Sequence, residues 1–299
     1  MVDTPAFLDP NRPDVPDIVV PQGVTPFFLP DRPVRGRLVR LGPLADALLS
    51  RHDNPDPVNR LAGEALALVA GLASALKFQG SFSLQAKGDG PISMLLADCT
   101  DSGALRFYAR TDADRIAALQ EADTQPKAAT LLGHGYLAFT VDQGAAMEPH
   151  QGIVSIEGET LGAMAQHYFE TSEQHDCAVR LACRKTEAGW RASALILERI
   201  AHQGGIVTDD DAFDVNIDSS EEADESWRTA VILATTLTDD ELLNDQLPAE
   251  ELLFRLFHSE GVAADMPRAL AYGCRCSRAR LAAVLELSLI HISEPTRPY

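Results

Sequence analysis

Three short runs between residues 81 and 109 constrain the fold most. Ser81–Ala86, Ile92–Ala97 and Ala104–Ala109 each have strand character, and they are separated by Gly88-Asp89-Gly90-Pro91 and by Asp101-Ser102-Gly103. Glycine, proline and aspartate at those positions are strong turn chemistry, so successive antiparallel strands are the economical reading. Upstream, Gly36–Leu41 alternates as a strand does, and Leu44–Leu49 and Val58–Leu76 carry apolar residues at helical spacing. Downstream, Gly135–Val141 and Gln151–Ile156 read as a strand pair flanking a loop. Thr160–Gln174 reads as a helix, and Cys177–Arg184 and Ala192–Ile200 as further strands. The fold class is therefore α+β, with the core domain over 34–207 and no internal repeat.

Outside that core the character of the chain changes. Residues 1–33 hold eight prolines, including Pro21, Pro26 and Pro30, and predict an extended arm of little order, with Phe27-Phe28-Leu29 as an apolar patch able to dock on the core. From Thr208 to about residue 226 carboxylates follow one another without a Lys or Arg, which predicts a solvated tether. Residues 227–266 read as a linker of short helices: Thr238-Asp239-Asp240-Glu241 has the form of a capping box, and Pro248 followed by Glu250 and Glu251 suits another first turn. Helices this short depend on packing against something else. A small thiol module is expected over 267–286. Leu287–Arg297 resembles the in-frame translation of a sequencing adapter, so 287–299 is expected to be a non-native tail and the natural sequence to be readable only to about Glu286.

Charge and composition narrow the function. The formal net charge of -19 opposes approach to nucleic acid or an anionic membrane, whereas 45% hydrophobic and 23% charged residues are ordinary for a globular protein. The first residues lack a basic leader with an apolar segment, and the uncharged stretch Ala65–Leu76 is short of the ~20 residues that span a bilayer. A cytoplasmic location is expected, where five cysteines read as reduced thiols or metal ligands rather than a disulfide framework. Cys99, Cys177 and Cys183 sit in apolar strand contexts and read as buried, inert thiols. Cys274 and Cys276 are different. They are one residue apart, amid Arg268, Arg275, Arg278 and Arg280, and nearby cations favour thiolate over thiol. Ser277 is placed to cap a helix over Arg278–Leu285, which would hold the second thiol at a helix N-terminus. Two thiolates are half of a tetrahedral zinc site, and the bland alternative is a chance pair of small residues.

Two other classes compete. Ser172, Glu173, His175 and Asp176 bring nucleophile, base and acid types together, but adjacency in sequence carries little catalytic geometry. His134 between two glycines reads as a turn, and Gly88-Asp89-Gly90 lacks the pattern of a phosphate loop. No catalytic residue is assigned and an enzyme is not expected. A zinc-ribbon nucleic-acid binder gains from the arginines near Cys274 and loses to the acidic tether.

Leu256-Phe257-His258-Ser259-Glu260-Gly261-Val262 and Tyr272-Gly273-Cys274-Arg275-Cys276-Ser277-Arg278 resemble the junction of linker and zinc centre in the redox-regulated heat-shock chaperones of the 33-kilodalton family. Gly88-Asp89-Gly90-Pro91, Gly133-His134-Gly135-Tyr136-Leu137, Gln151-Gly152-Ile153-Val154, Gly158-Glu159 and Tyr168–Gln174 follow that family's order, and the resemblance spans about residues 35–286. It implies a two-sheet core, a metastable helical linker over an apolar face, and a C-terminal zinc module joining a Cys-x-Cys pair to a later Cys-x-x-Cys pair. Cys274 and Cys276 match the first pair, and nothing here matches the second, so weak zinc binding by this chain is expected. The implied activity is that of an ATP-independent holdase. Thiol oxidation and zinc release would unmask a surface for unfolding client proteins, and a homodimer in the oxidised state is compatible with that scheme.

Overall fold

A computed structural model describes residues 18–75, 80–122, 125–144, 147–200 and 220–273. Its strands are β1 (Val19–Leu29), β2 (Val34–Arg40), β3 (Ser81–Gly88), β4 (Ile92–Thr100), β5 (Ala104–Thr111), β6 (Gly135–Asp142), β7 (His150–Ser155), β8 (Cys177–Thr186), β9 (Gly189–Arg199), β10 (Ala263–Ala264) and β11 (Arg268–Tyr272). Its helices are α1 (Pro43–Leu49), α2 (Asp56–Ala73), α3 (Ala113–Ala122), α4 (Ala128–Leu132), α5 (Leu161–Ser172), α6 (Ser220–Thr235), α7 (Asp239–Leu242) and α8 (Ala249–Phe257). The α+β class read from the sequence is the class observed.

The two-sheet expectation needs a physical amendment. Strands run in the order β7-β6-β3-β4-β5 on one side and β1-β2-β9-β8 on the other, and β11 joins them into one continuous ladder. β11 is parallel to β5 through Ala271 and Tyr272 and antiparallel to β1 through Val19 and Val20. Residues 268–272, expected to open the thiol module, are thus a strand in the middle of the sheet. The proline-rich arm also differs from Val19 onward, where it is β1. Proline fixes a φ that an extended strand accepts and costs only a ladder donor. Pro26 uses its carbonyl instead, accepting from the Asp265 amide at 2.8 Å, and the pairing with β11 shifts register across Val20 to Val24, around Pro21. Finally, α6 begins at Ser220, inside the segment expected to be tether.

The main core lies between the sheet and α2, which is buried along nearly its whole length because both strand groups wrap it. The turns follow the sequence signals. Gly88-Asp89-Gly90 interlocks with Gly133-His134: the Gly90 amide donates to the Leu132 carbonyl at 2.8 Å, and the His134 amide donates to Asp89 Oδ1 at 2.7 Å. A Cβ on Gly90 would meet the Leu132 carbonyl carbon at 2.4 Å, so the close approach requires glycine. The His134 side chain is fully exposed, consistent with the turn reading. Among the described residues no helix is long and apolar enough to cross a membrane.

Candidate functional site

Period-two alternation in β2, β8 and β9 builds a face opposite α2. On β9, Ala194 and Ile196 join the main core, whereas Leu195 and Leu197 point the other way, alongside Leu38 of β2 and Ala182 of β8. Phe27 and Leu29 of β1 complete an apolar floor. The linker covers it. Ala230 and Ala234 of α6, Leu242 of α7, and Leu252, Leu256 and Phe257 of α8 are all buried against this floor, forming a second hydrophobic cluster.

Local sequence explains the linker's shape. Thr238 and Glu241 form the reciprocal capping box read from the sequence, with each side chain bonded to the other residue's amide. Pro248 starts α8, whose inward stripe is Leu252, Leu253, Leu256 and Phe257, while Phe254 stays 63% exposed. Phe257 is the anchor. Fully buried, it stacks on Phe27 with ring centroids 5.5 Å apart and planes at 28°. Gly36 pairs with Phe27 across β1 and β2, and a Cβ there would lie 2.2 Å from the Phe27 ring; the ring covers the glycine. Burying one such side chain is worth about 1.5–3 kcal/mol, comparable to what a short helix lacks by itself.

Around this floor runs a rim of core arginines, each holding the linker. Arg180 bonds Asp239 at 2.9 Å, Arg184 bonds Asp240 at 2.6 Å, Arg191 bonds Asp245 at 2.5 Å, and Arg32 bonds Glu260 at 3.1 Å. Arg199 pairs with Asp224 of α6, and Arg40 donates to the carbonyls of Leu247 and Glu241. Five carboxylates between Asp224 and Glu260 are thus paired with arginines across the interface. Most of these pairs are partly exposed, so each adds little by itself; together they set the linker's register.

Glu64 of α2 links this rim to pH. It borders a cleft of about 350 Å³ shared with Arg60, Lys127, Arg180 and Asp239. Burial raises its carboxyl to about 7, Arg60 opposes the rise, and Asp239 adds to it. Below about 4.5 both folded and unfolded carboxyls are protonated and the group is neutral to stability. Between about 4.5 and 7 the unfolded form ionises first, so stability falls as pH rises, and above 7 the full penalty stands. Glu64→Gln is expected to flatten this slope, by on the order of 2 kcal/mol between pH 5 and 8, in urea unfolding curves. Equal slopes in both proteins would refute the assignment.

The thiols divide as the sequence suggested for three of five. Cys99, Cys177 and Cys183 are buried and free. Burial, reinforced by nearby carboxylates, pushes Cys99 and Cys177 up to about 12 and raises Cys183 as well, so none is a ready thiolate. Among the described residues no cluster of three or more His, Cys, Asp or Glu is arranged to hold a metal. Cys274, Cys276 and the helix expected after Ser277 lie outside the described residues. The donor set therefore offers two available sulfurs, which do not close a tetrahedral zinc site by themselves. What is described is the approach to the pair: β11 ends at Tyr272, and the Gly273 amide bonds the Leu105 carbonyl at 2.7 Å. β10, near the end of the linker, pairs with Phe27 and Phe28 of β1. The chain from the end of the linker to Gly273 thus runs along β1, whose Phe27 receives the linker's aromatic anchor.

The rival catalytic group is engaged in structure. Glu173 accepts from the Tyr168 hydroxyl at 2.5 Å, Asp176 pairs with Arg199 at 3.2 Å, and the His175 amide caps the Phe169 carbonyl at 3.0 Å. Among the described residues no hydrogen bond joins Ser172, Glu173, His175 and Asp176 to one another.

Comparison with known proteins matches this architecture. The model of the family described as Hsp33 protein matches residues 23–289. The 33 kDa chaperonin of Caulobacter vibrioides (strain NA1000 / CB15N) is 39% identical over 280 residues, covering 92% of this chain and 88% of the relative. That of Ectopseudomonas mendocina (strain ymp) is 36% identical over 261 residues, covering 87% of this chain and 79% of the relative. The crystal structure of a 33 kDa chaperonin from Thermotoga maritima shares the fold, with a TM-score of 0.67 at 18% identity, over 89% of this chain and 85% of that one. With the family's core fold, a linker-covered apolar face and this similarity over most of its length, the chain belongs to the Hsp33 protein family of chaperones.

Proposed function

We propose that this protein is a cytoplasmic, redox-regulated holdase that works without ATP, and that oxidation of Cys274 and Cys276 releases the linker from the apolar floor so that unfolding clients bind there. The observation that carries the reading is the buried floor itself. It is apolar, it is large enough to occupy three helices, and two of these, α7 with four residues and α8 with nine, are too short to be stable by themselves. The short path from Cys274 through β11 and β10 to Phe27 supplies the physical connection between thiol chemistry and the anchor. Zinc, when bound, would hold the two thiolates and keep this segment folded.

The test is suppression of light scattering from a heat-unfolded reporter enzyme, without ATP, before and after peroxide. Suppression is expected only after peroxide, or strongly increased by it. Equal suppression by reduced and oxidised protein would refute the redox step.

A further inference from the structure

We propose that the uncovered floor selects acidic amphipathic segments, so that the linker is a template for the clients this protein prefers. The inference rests on the holdase reading and adds a chemical class of client to it. On the linker side of the sheet, three neighbouring strands bracket or end their apolar runs with arginine: Arg180 and Arg184 flank Ala182 on β8, Arg191 and Arg199 flank Leu195 and Leu197 on β9, and Arg40 follows Leu38 on β2. In the closed protein each has a linker carboxylate or carbonyl as a partner, Arg199 holding Asp176 of the core as well.

Residues 220–262 hold eleven Asp or Glu and two Arg, although the whole chain has 44 acidic and 25 basic residues. When this segment leaves, the floor loses most of its counter-charge at once. An amphipathic segment with carboxylates flanking an apolar stripe restores both interactions; one with lysines restores the apolar contact and meets like charge. Charge complementarity of this kind sets specificity and encounter rate more than raw affinity.

The experiment uses the full chain after peroxide, and Phe257→Ala as a second, oxidant-free way of uncovering the same face. Two fluorescent peptides share the apolar spacing of Leu252, Leu253, Leu256 and Phe257, one with Glu and one with Lys at the remaining positions. The acidic peptide is expected to bind about tenfold tighter at low salt, with the difference collapsing near 1 M salt, where charges are screened within about 3 Å. Arg180→Gln combined with Arg184→Gln is expected to lower the acidic-to-basic affinity ratio severalfold. The ratio is the deciding quantity, because a change in how much protein is open moves both affinities equally. Equal affinities, preference for the basic peptide, or a ratio unmoved by the double variant overturns the inference. If neither peptide binds while aggregation is still suppressed, the charge inference falls and the holdase reading stands; if suppression is absent too, both fall.

Discussion

Replacing Phe257 by alanine is expected to release the linker without any oxidant. Phe257 is fully buried on Phe27, and removing a buried phenylalanine costs about 3–5 kcal/mol, which shifts an opening equilibrium by two orders of magnitude or more. The loss falls on the linker, since the main core around α2 contains neither Phe257 nor any other linker residue. Aggregation suppression under reducing conditions should rise, protease cleavage between α6 and α8 should accelerate, and the far-UV spectrum of the strands should persist. Phe257→Leu, which keeps most of the apolar contact, should lie close to wild type. A Phe257→Ala protein as inactive and as protease-resistant as the parent would mean that this contact does not hold the linker.

Glu198→Ala is expected to damage the core rather than the switch. Glu198 of β9 is buried and accepts from Arg37 and Arg35, both at 2.8 Å, and Arg37 is itself buried. Burial alone would raise its carboxyl, yet the two guanidinium groups prevail and hold it below the usual range. Removing it leaves Arg37 charged and unpaired inside the sheet, a loss of about 3–5 kcal/mol. For a domain of this size the thermal midpoint should fall by roughly 10 °C. The same pair predicts acid sensitivity. Because the folded value is depressed, its contribution is fully present above the unfolded carboxylate range near 4.5 and is lost as pH falls through the lower, folded value. Arg35→Gln should cost far less, since Arg35 is half exposed. A Glu198→Ala midpoint within a degree or two of wild type would contradict this ranking.

What the sequence disclosed and what it hid separate by range. The hairpins between Ser81 and Thr111 and the capping box at Thr238 were legible because turn and cap chemistry acts within four residues. Burial of Cys99, Cys177 and Cys183 was legible from their apolar strand neighbours. The prolines before residue 30 concealed β1, since a missing donor signals disorder only when the chain has no other partner. β11 was hidden because its pairing depends on β5 and β1, both far away in sequence. The arginine rim was missed for the same reason: Arg180 and Arg184 lie more than fifty residues before Asp239 and Asp240, and charge summed along the chain shows only repulsion. An available signal was the parity of Arg180, Ala182 and Arg184 on one strand, which places two cations beside an apolar position on one face. The Cys274 and Cys276 pair, the most telling chemical motif in the sequence, lies outside the described residues.

Backbone hydrogen exchange, followed together with aggregation suppression, tests the central claim most directly. In the reduced protein, amides of 220–262 should be protected. After peroxide they should exchange rapidly as suppression appears, while β2, β9 and α2 remain protected. Suppression that appears while the linker amides stay as protected as before would contradict the account.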